Sequence, residues 1–275
     1  MKPARCVLQN THLPKNKDYL FLLTFLLKIL RRKLQVCFYL SLWYFPHMPT
    51  LYVIGTPIGN LEDITLRALR ILKEADVIVC EDTRVTQKLL KHYGIANKQL
   101  TTYNEQESGA TAHKIIKLLE DGKNLALVSD AGTPAISDPG AMLVSKVREV
   151  LGDKVKIESV PGPSAVTTAL SIAGVPASNF LFLGFLPHKK GRETLFKKIA
   201  QSERMVVFYE SPHRILKALL SLQKFCPEKD ITVAKELTKI HEEVIRGNAE
   251  EIVSFFSKNK KKLRGEFVVI VSPKI

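Results

Sequence analysis

From Thr50 onward, two hydrophobic periods alternate along the chain. Short apolar runs at residues 51–54, 77–80, 125–129 and 157–160 read as strands. Between them, apolar residues recur at helical spacing. They mark Leu66, Leu69, Ile71 and Leu72, residues 86–93, residues 115–119 ending near Gly122, residues 142–150 and the small-residue stretch 165–173. Strands alternating with helices predict βα units and a largely parallel sheet. Gly174-Val175-Pro176 breaks the pattern and is the predicted domain boundary. A second set follows, with strands at 180–183, 205–209, 231–234, 243–245 and 266–271. Helices are predicted at 193–200, 212–225 and 249–256, and the closely paired short strands predict a mixed sheet. The fold class is therefore α/β with two domains, 48–174 and 175–275.

Residues 1–47 follow neither period. Residues 19–27 and 34–47 are uncharged, and between them stand Lys28 and Arg31-Arg32-Lys33. A spanning helix needs about 20 apolar residues, more than either run supplies. A signal peptide would need a small-residue cleavage site, which is missing. The segment reads as a non-native or disordered extension ahead of a natural start at Met48. A membrane-surface anchor and a targeting segment are the competing readings.

Composition narrows the class. A chain of 275 residues with 45% hydrophobic and 25% charged positions has the makeup of a soluble globular protein. Its four cysteines form no C-x-x-C pair, which argues against a disulfide scaffold or a cysteine zinc site. Residues 1–47 carry eight cations against Asp18 alone, so half of the net +14 lies there. The remaining charge fits a polyanionic partner without requiring one. The run 258–262 reads as a solvated loop.

Candidate chemistry sits in the turns that follow strands. Gly55-Thr56-Pro57-Ile58-Gly59-Asn60 lacks the G-x-G-x-x-G dinucleotide spacing, and no G-x-x-x-x-G-K-[ST] loop occurs. The stretch 129–140, SDAGTPAISDPG, is rigid and polar, and lies where open α/β sheets bind ligands. Its Asp and Ser residues also suit turns and caps. Pro161-Gly162-Pro163-Ser164-Ala165 is a third such loop, with Ser164 a natural helix cap. Cys80-Glu81-Asp82-Thr83-Arg84 either holds or deprotonates a substrate, or is a local ion pair with a cap. Glu105, in Tyr103-Asn104-Glu105, is a further acid–base candidate. Ser211 and Pro212 suit a helix start, whereas His213 and Arg214 sit badly at a helix N-terminus and so point to an anion. The turn His188-Lys189-Lys190-Gly191-Arg192 is of the kind that grips phosphates.

In order, LYVIGTPIGNLEDIT, CEDTR, SDAGTPAISDPG, VPGPSAV, FLGFLP, FYESPHR and AKELTKIHEE resemble one family. It is the ribosomal RNA small subunit methyltransferase I family of the tetrapyrrole methylase-like superfamily, the class III S-adenosylmethionine (SAM) methyltransferases. The resemblance covers about residues 50–271 and leaves out 1–47. It implies two α/β domains with SAM in the cleft between them, a homodimer, and a cytoplasmic setting. It implies methylation of the ribose 2′-oxygen of a cytidine in the decoding region of small-subunit (16S) ribosomal RNA, with no metal. By motif, Pro57, Gly59, Asp130, Gly132, Thr133, Pro134, Pro161, Gly162, Ser164 and Ala165 would contact the cofactor. Leu183 and Gly184 would line its adenine pocket. Glu81, Asp82 and Glu105 are the general-base candidates. Arg84, Lys189, Lys190, Arg192, His213 and Arg214 would meet the RNA of the 30S subunit. Two alternatives stand beside this reading: a relative that methylates a tetrapyrrole or other small acceptor, and a non-enzymatic RNA-binding protein on the same scaffold.

Overall fold

Strand β1 (Thr50–Ile54) begins a five-stranded sheet. The computed structural model describes residues 48–104 and 108–273. The sheet continues with β2 (Val77–Cys80), β3 (Gln99–Thr102), β4 (Leu125–Val128) and β5 (Lys156–Val160), in the order β3-β2-β4-β1-β5. All its pairings are parallel. The four intervening helices are α1 (Leu66–Glu74), α2 (Thr83–His92), α3 (Ser108–Glu120) and α4 (Ala141–Leu151). Parallel strands are covered on both faces, so they read as continuous apolar runs. One face packs on Ala68, Ile71 and Leu72 of α1 and Leu90 of α2. The other packs on Ile115 and Leu119 of α3 and Leu143 and Val147 of α4.

Helix α5 (Ala165–Ile172) leads to a second sheet. Its strands are β6 (Phe180–Phe185), β7 (Met205–Glu210), β8 (Asp230–Lys235), β9 (Glu243–Asn248) and β10 (Phe267–Ser272), in the order β6-β7-β10-β8-β9. Only β6 and β7 run parallel; the other pairings are antiparallel, as the predicted mixed sheet requires. Helices α6 (Arg192–Gln201), α7 (Ile215–Phe225) and α8 (Ala249–Lys258) cover one face, burying Phe196, Leu219, Leu222 and Phe256. The opposite face buries Val166, Ala169 and Leu170 of α5 and Ile58 of the loop after β1. That apolar joint holds the two sheets together, and residues 48–275 pack as one unit.

Three local expectations are corrected. Strand β3 is absent from the predicted set, because QLTT carries one apolar residue and lies at the sheet edge. Helix α2 starts at Thr83 rather than 86, since the Asp82 side chain accepts from the Arg84 backbone N–H and caps it. Helix α7 starts at Ile215 rather than 212. Residues 212–214 are a turn, closed by the Arg214 and Ile215 N–H groups donating to the Ser211 carbonyl. Residues 1–47 and Glu105 lie outside the described residues. Among the described residues, no helix is long and apolar enough to cross a membrane.

Candidate active site

The three loops meet at the C-terminal ends of β1, β4 and β5. Gly55 N–H donates to the Val160 carbonyl at 3.0 Å, and Thr56 and Gly132 exchange backbone hydrogen bonds of 2.8 and 3.1 Å. Thr56 Oγ1 donates to the Ser129 carbonyl at 3.2 Å, and Thr133 Oγ1 to the Pro163 carbonyl at 3.2 Å. The loops thus form one tied floor. β1 and β4 are neighbours, yet α1 and α4 leave them for opposite faces of the sheet. Such divergence opens a crevice at the strand ends.

That crevice is a cleft of about 930 Å³ counting its open mouth, with the second sheet as its far wall. Ile58, Ile136, Leu237 and Val268 make it largely apolar, and Thr133, Asp138, Ser164 and Tyr209 give it polar points. Backbone strain gathers here. Ala135 (φ 71°) and Ser137 (φ 64°) lie in the loop after β4, and Glu236 (φ 50°) and Thr238 (φ 65°) flank Leu237 opposite. Non-glycine residues held in that region cost about 1–3 kcal/mol each and cluster at ligand sites. At Gly184 (φ +61°), a Cβ would come 2.6 Å from Ser137 Oγ. Register shifts between Phe182 and Phe185, and Phe185 lines the cleft.

Asp138 in the cleft and the carboxylates of the neighbouring loops titrate differently. Asp82 accepts from Arg84 N–H at 2.8 Å, and its ion pair with Arg84 closes to 2.6 Å. The Arg84 hydrogen bonds hold Asp82 at about 2. Burial, reinforced by Asp130 and Asp82, pushes Glu81 up. Burial also raises Asp130, although its Oδ1 accepts from the Asp82 N–H at 3.1 Å. Asp138 is pushed up to about 6, first by burial and then by Glu81, Asp130 and Glu266. Tyr209 reaches across from β7, and burial takes its phenol to about 12 against hydrogen bonds with Val166 backbone and the Ser164 side chain.

The expected cofactor residues divide. Gly132, Thr133, Ser164 and Ala165 line the cleft. Pro134 is buried, packed near Gly140. Pro57 and Asp130 line a second cavity with Leu61, Val85, Thr86 and Lys88. Pro161 and Gly162 border a shallow groove with Asp63 and Thr65. Gly59 lies against Thr238 and Lys239 instead of facing the cleft. Leu183 packs against the core beneath α6–α8 and is not among the residues that line the cleft.

The expected RNA residues divide too. Arg84, Lys189, Lys190 and His213 are exposed. Arg192 and Arg214 are not free surface cations. Both pair with the fully buried Glu210, at 3.0 and 2.8 Å. Their second nitrogens donate to the Pro187 and Leu186 carbonyls. A buried carboxylate needs paired charge, and the two arginines meet that need. Asp138, Tyr209 and Glu266 are site residues that sequence reasoning does not single out. Asp138 stands in a quoted loop, where a turn role explains it equally well.

The tetrapyrrole (corrin/porphyrin) methylase family matches residues 50–253. A Thermotoga maritima protein named ribosomal RNA small subunit methyltransferase I is 45% identical over 227 residues, covering 82% of this chain and 100% of that one. A protein of the same name from Neisseria meningitidis serogroup B is 47% identical over 225 residues, 82% of this chain and 76% of that one. Among solved structures, the cobalamin biosynthetic enzyme cobalt precorrin-4 methyltransferase CbiF matches with TM-score 0.60 at 18% identity, covering 82% of this chain and 95% of that one. Uroporphyrin-III-C-methyltransferase from Thermus thermophilus matches at 0.57 and 21%, covering 81% and 94%. These two establish the fold alone.

The family's methyl donor is SAM, which brings a methyl group already activated on a positively charged sulfur. The cleft suits it. Ile58, Leu237 and Val268 offer an apolar wall to an aromatic base, and Thr133 and Ser164 place hydroxyls on the tied floor. This chain belongs to the tetrapyrrole methylase family and groups there with the ribosomal RNA small subunit methyltransferases I.

Proposed function

We propose that the chain transfers the methyl group of SAM to the ribose 2′-oxygen of a cytidine in the decoding region of small-subunit ribosomal RNA. The observation that carries this reading is the 45% identity, across the whole of a relative, to a protein named for that ribosomal subunit. A ribose hydroxyl is a weak nucleophile, so the protein must align it with the methyl group and help remove its proton. Orientation supplies ~7–11 kcal/mol, and a positioned base contributes about 10²–10⁴-fold. Glu81, near enough to Asp138 to raise it, stays a candidate base, as does Glu105. Asp82 is weaker, because its hydrogen bonds to Arg84 favour the ionised form. Arg84, Lys189, Lys190 and His213, all exposed, would meet RNA phosphates.

The division we favour is two domains, 48–174 and 175–275, closing on SAM between them in the cytoplasm. A second copy of the chain would cover β6, an edge strand whose Phe180 and Leu181 are 36% and 47% exposed.

The test uses the full chain, radiolabelled SAM and small ribosomal subunits lacking this methylation. Labelled 2′-O-methylcytidine is expected after digestion and chromatography. Label on a base, or no transfer to RNA despite SAM binding, would overturn the reading.

A further inference from the structure

Of the carboxylates in and near the cleft, Glu81 and Asp138 have no hydrogen bond or ion pair among the described residues, and of these two Asp138 is the one that lines the cavity. Asp82 caps α2 and pairs with Arg84. Glu210 is held by two arginines. Asp130 accepts from the Asp82 N–H, and Glu266 pairs with Lys239 at 3.0 Å. Asp138 lines the cleft half-buried, one residue beyond the strained Ser137, and no hydrogen bond or ion pair reaches it among the described residues. A structural aspartate at a turn would be expected to accept a local backbone N–H. This one accepts none among the described residues and lines the cavity instead.

We propose that Asp138 is the general base that takes the proton of the acceptor hydroxyl. The assignment rests on the methyl-transfer reading above and names the residue that performs its proton step. As the acceptor oxygen bonds to the methyl carbon, the carbon–sulfur bond breaks and its electron pair stays on sulfur, which becomes neutral. The hydroxyl proton passes to an Asp138 oxygen and leaves from there to solvent.

The surroundings fit that task. Glu81 at the end of β2, Asp130 in Asp138's own loop, Glu266 just before β10 and Tyr209 of β7 all face it. Lys239, the cation paired with Glu266, is also engaged by Glu236. Burial first, and then the three acids, hold the carboxylate's proton affinity high, so above about 6 it is both ionised and more basic than an ordinary aspartate. Glu81 shares the trend but is exposed and does not line the cavity.

The experiment compares the full-length wild type with Asp138→Asn and Asp138→Glu. It measures SAM affinity by calorimetry and single-turnover methylation of small subunits from pH 5 to 8. The wild-type rate should rise about tenfold per pH unit up to a break near 6 and then level off. Asp138→Asn should lose about 10²–10⁴-fold at pH 7.5 and lose the break, with SAM affinity little changed. Asp138→Glu should keep the break at a reduced rate. An Asp138→Asn enzyme that retains the break overturns the assignment. So does one whose SAM affinity falls as far as its rate, since Asp138 would then be holding the donor. If the wild type itself methylates no ribose, the underlying reading fails. Wild-type activity with an unaffected variant sinks the Asp138 assignment alone.

Discussion

Gly55 and Gly162 meet backbone to backbone: a Cβ on Gly162 would lie 2.6 Å from the Gly55 carbonyl oxygen. The loops after β1 and β5 therefore approach as closely as they do because neither residue has a side chain. Gly162→Ala must push the loops apart, since the obstacle is main chain. The expected cost is ~1–3 kcal/mol, with a larger loss in SAM affinity because Thr133 and Ser164 ride on the same tied floor. Calorimetric SAM binding and a denaturation midpoint both equal to wild type would refute this.

Glu210 is the hub of a buried charge cluster, with Arg192 and Arg214 side chains only 8% and 17% exposed. Arg192 Nε already lacks a hydrogen-bond partner among the described residues. Glu210→Ala would strand two guanidinium groups, costing about 3–5 kcal/mol. Glu210→Gln should cost less, because it keeps acceptor capacity. Urea unfolding reads the difference, and a midpoint unmoved by Glu210→Ala would contradict the buried cluster.

Asp138 also predicts a stability profile. Its folded pKa of about 6 lies above the ordinary 3.8, so between those values the folded chain binds more protons than the unfolded one. The associated stability is full below 3.8 and lost as pH rises through about 6. Asp138→Asn, which cannot ionise, should match wild type near pH 4 and melt higher at pH 7–8. Thermal melts at the two pH values decide it, and an equal gain at both would rule out ionisation as the cause.

Lys189 and Lys190 are exposed in the turn before α6, whereas Arg192 two residues on is buried. Replacing both lysines with alanine should leave the melting temperature unchanged and make RNA affinity less dependent on salt. The log–log slope should fall by about 0.7–0.9 for each phosphate that is no longer neutralised. Arg192→Ala should do the reverse, lowering stability without altering the slope. Sensitivity of the slope to Arg192 and not to the lysines would reverse these assignments.

Leu181 lies on edge strand β6 and is 47% exposed. If a second copy covers it, Leu181→Lys should shift sedimentation from dimer to monomer while leaving the fold intact. Wild type that sediments as a monomer at micromolar concentration would remove the proposed interface.

Most of the architecture is legible in the residues because it depends on local periodicity. The runs LYVI, VIVC and LALV are apolar throughout because parallel strands are covered on both faces, and each forms a strand where expected. QLTT of β3 gives no such signal, because an edge strand needs no apolar run. The three glycine-bearing loops are visible as turns at strand ends, and the order of motifs is sufficient to identify the family.

The residues alone do not tell which charges reach solvent. Arg192 and Lys189 stand three residues apart in one basic turn, and nothing local distinguishes them. Arg192 is interior because Glu210, from a different strand, waits there and needs a counter-ion. Asp82 and Asp138 are likewise both aspartates at turns. One is held ionised by its neighbour Arg84, a pairing that sequence proximity already allows. The other is pushed toward its protonated form by burial and by acids from three separate loops. Strand and helix follow from interactions between near neighbours. Burial and charge depend on residues far apart in the chain, so only the packed structure decides them.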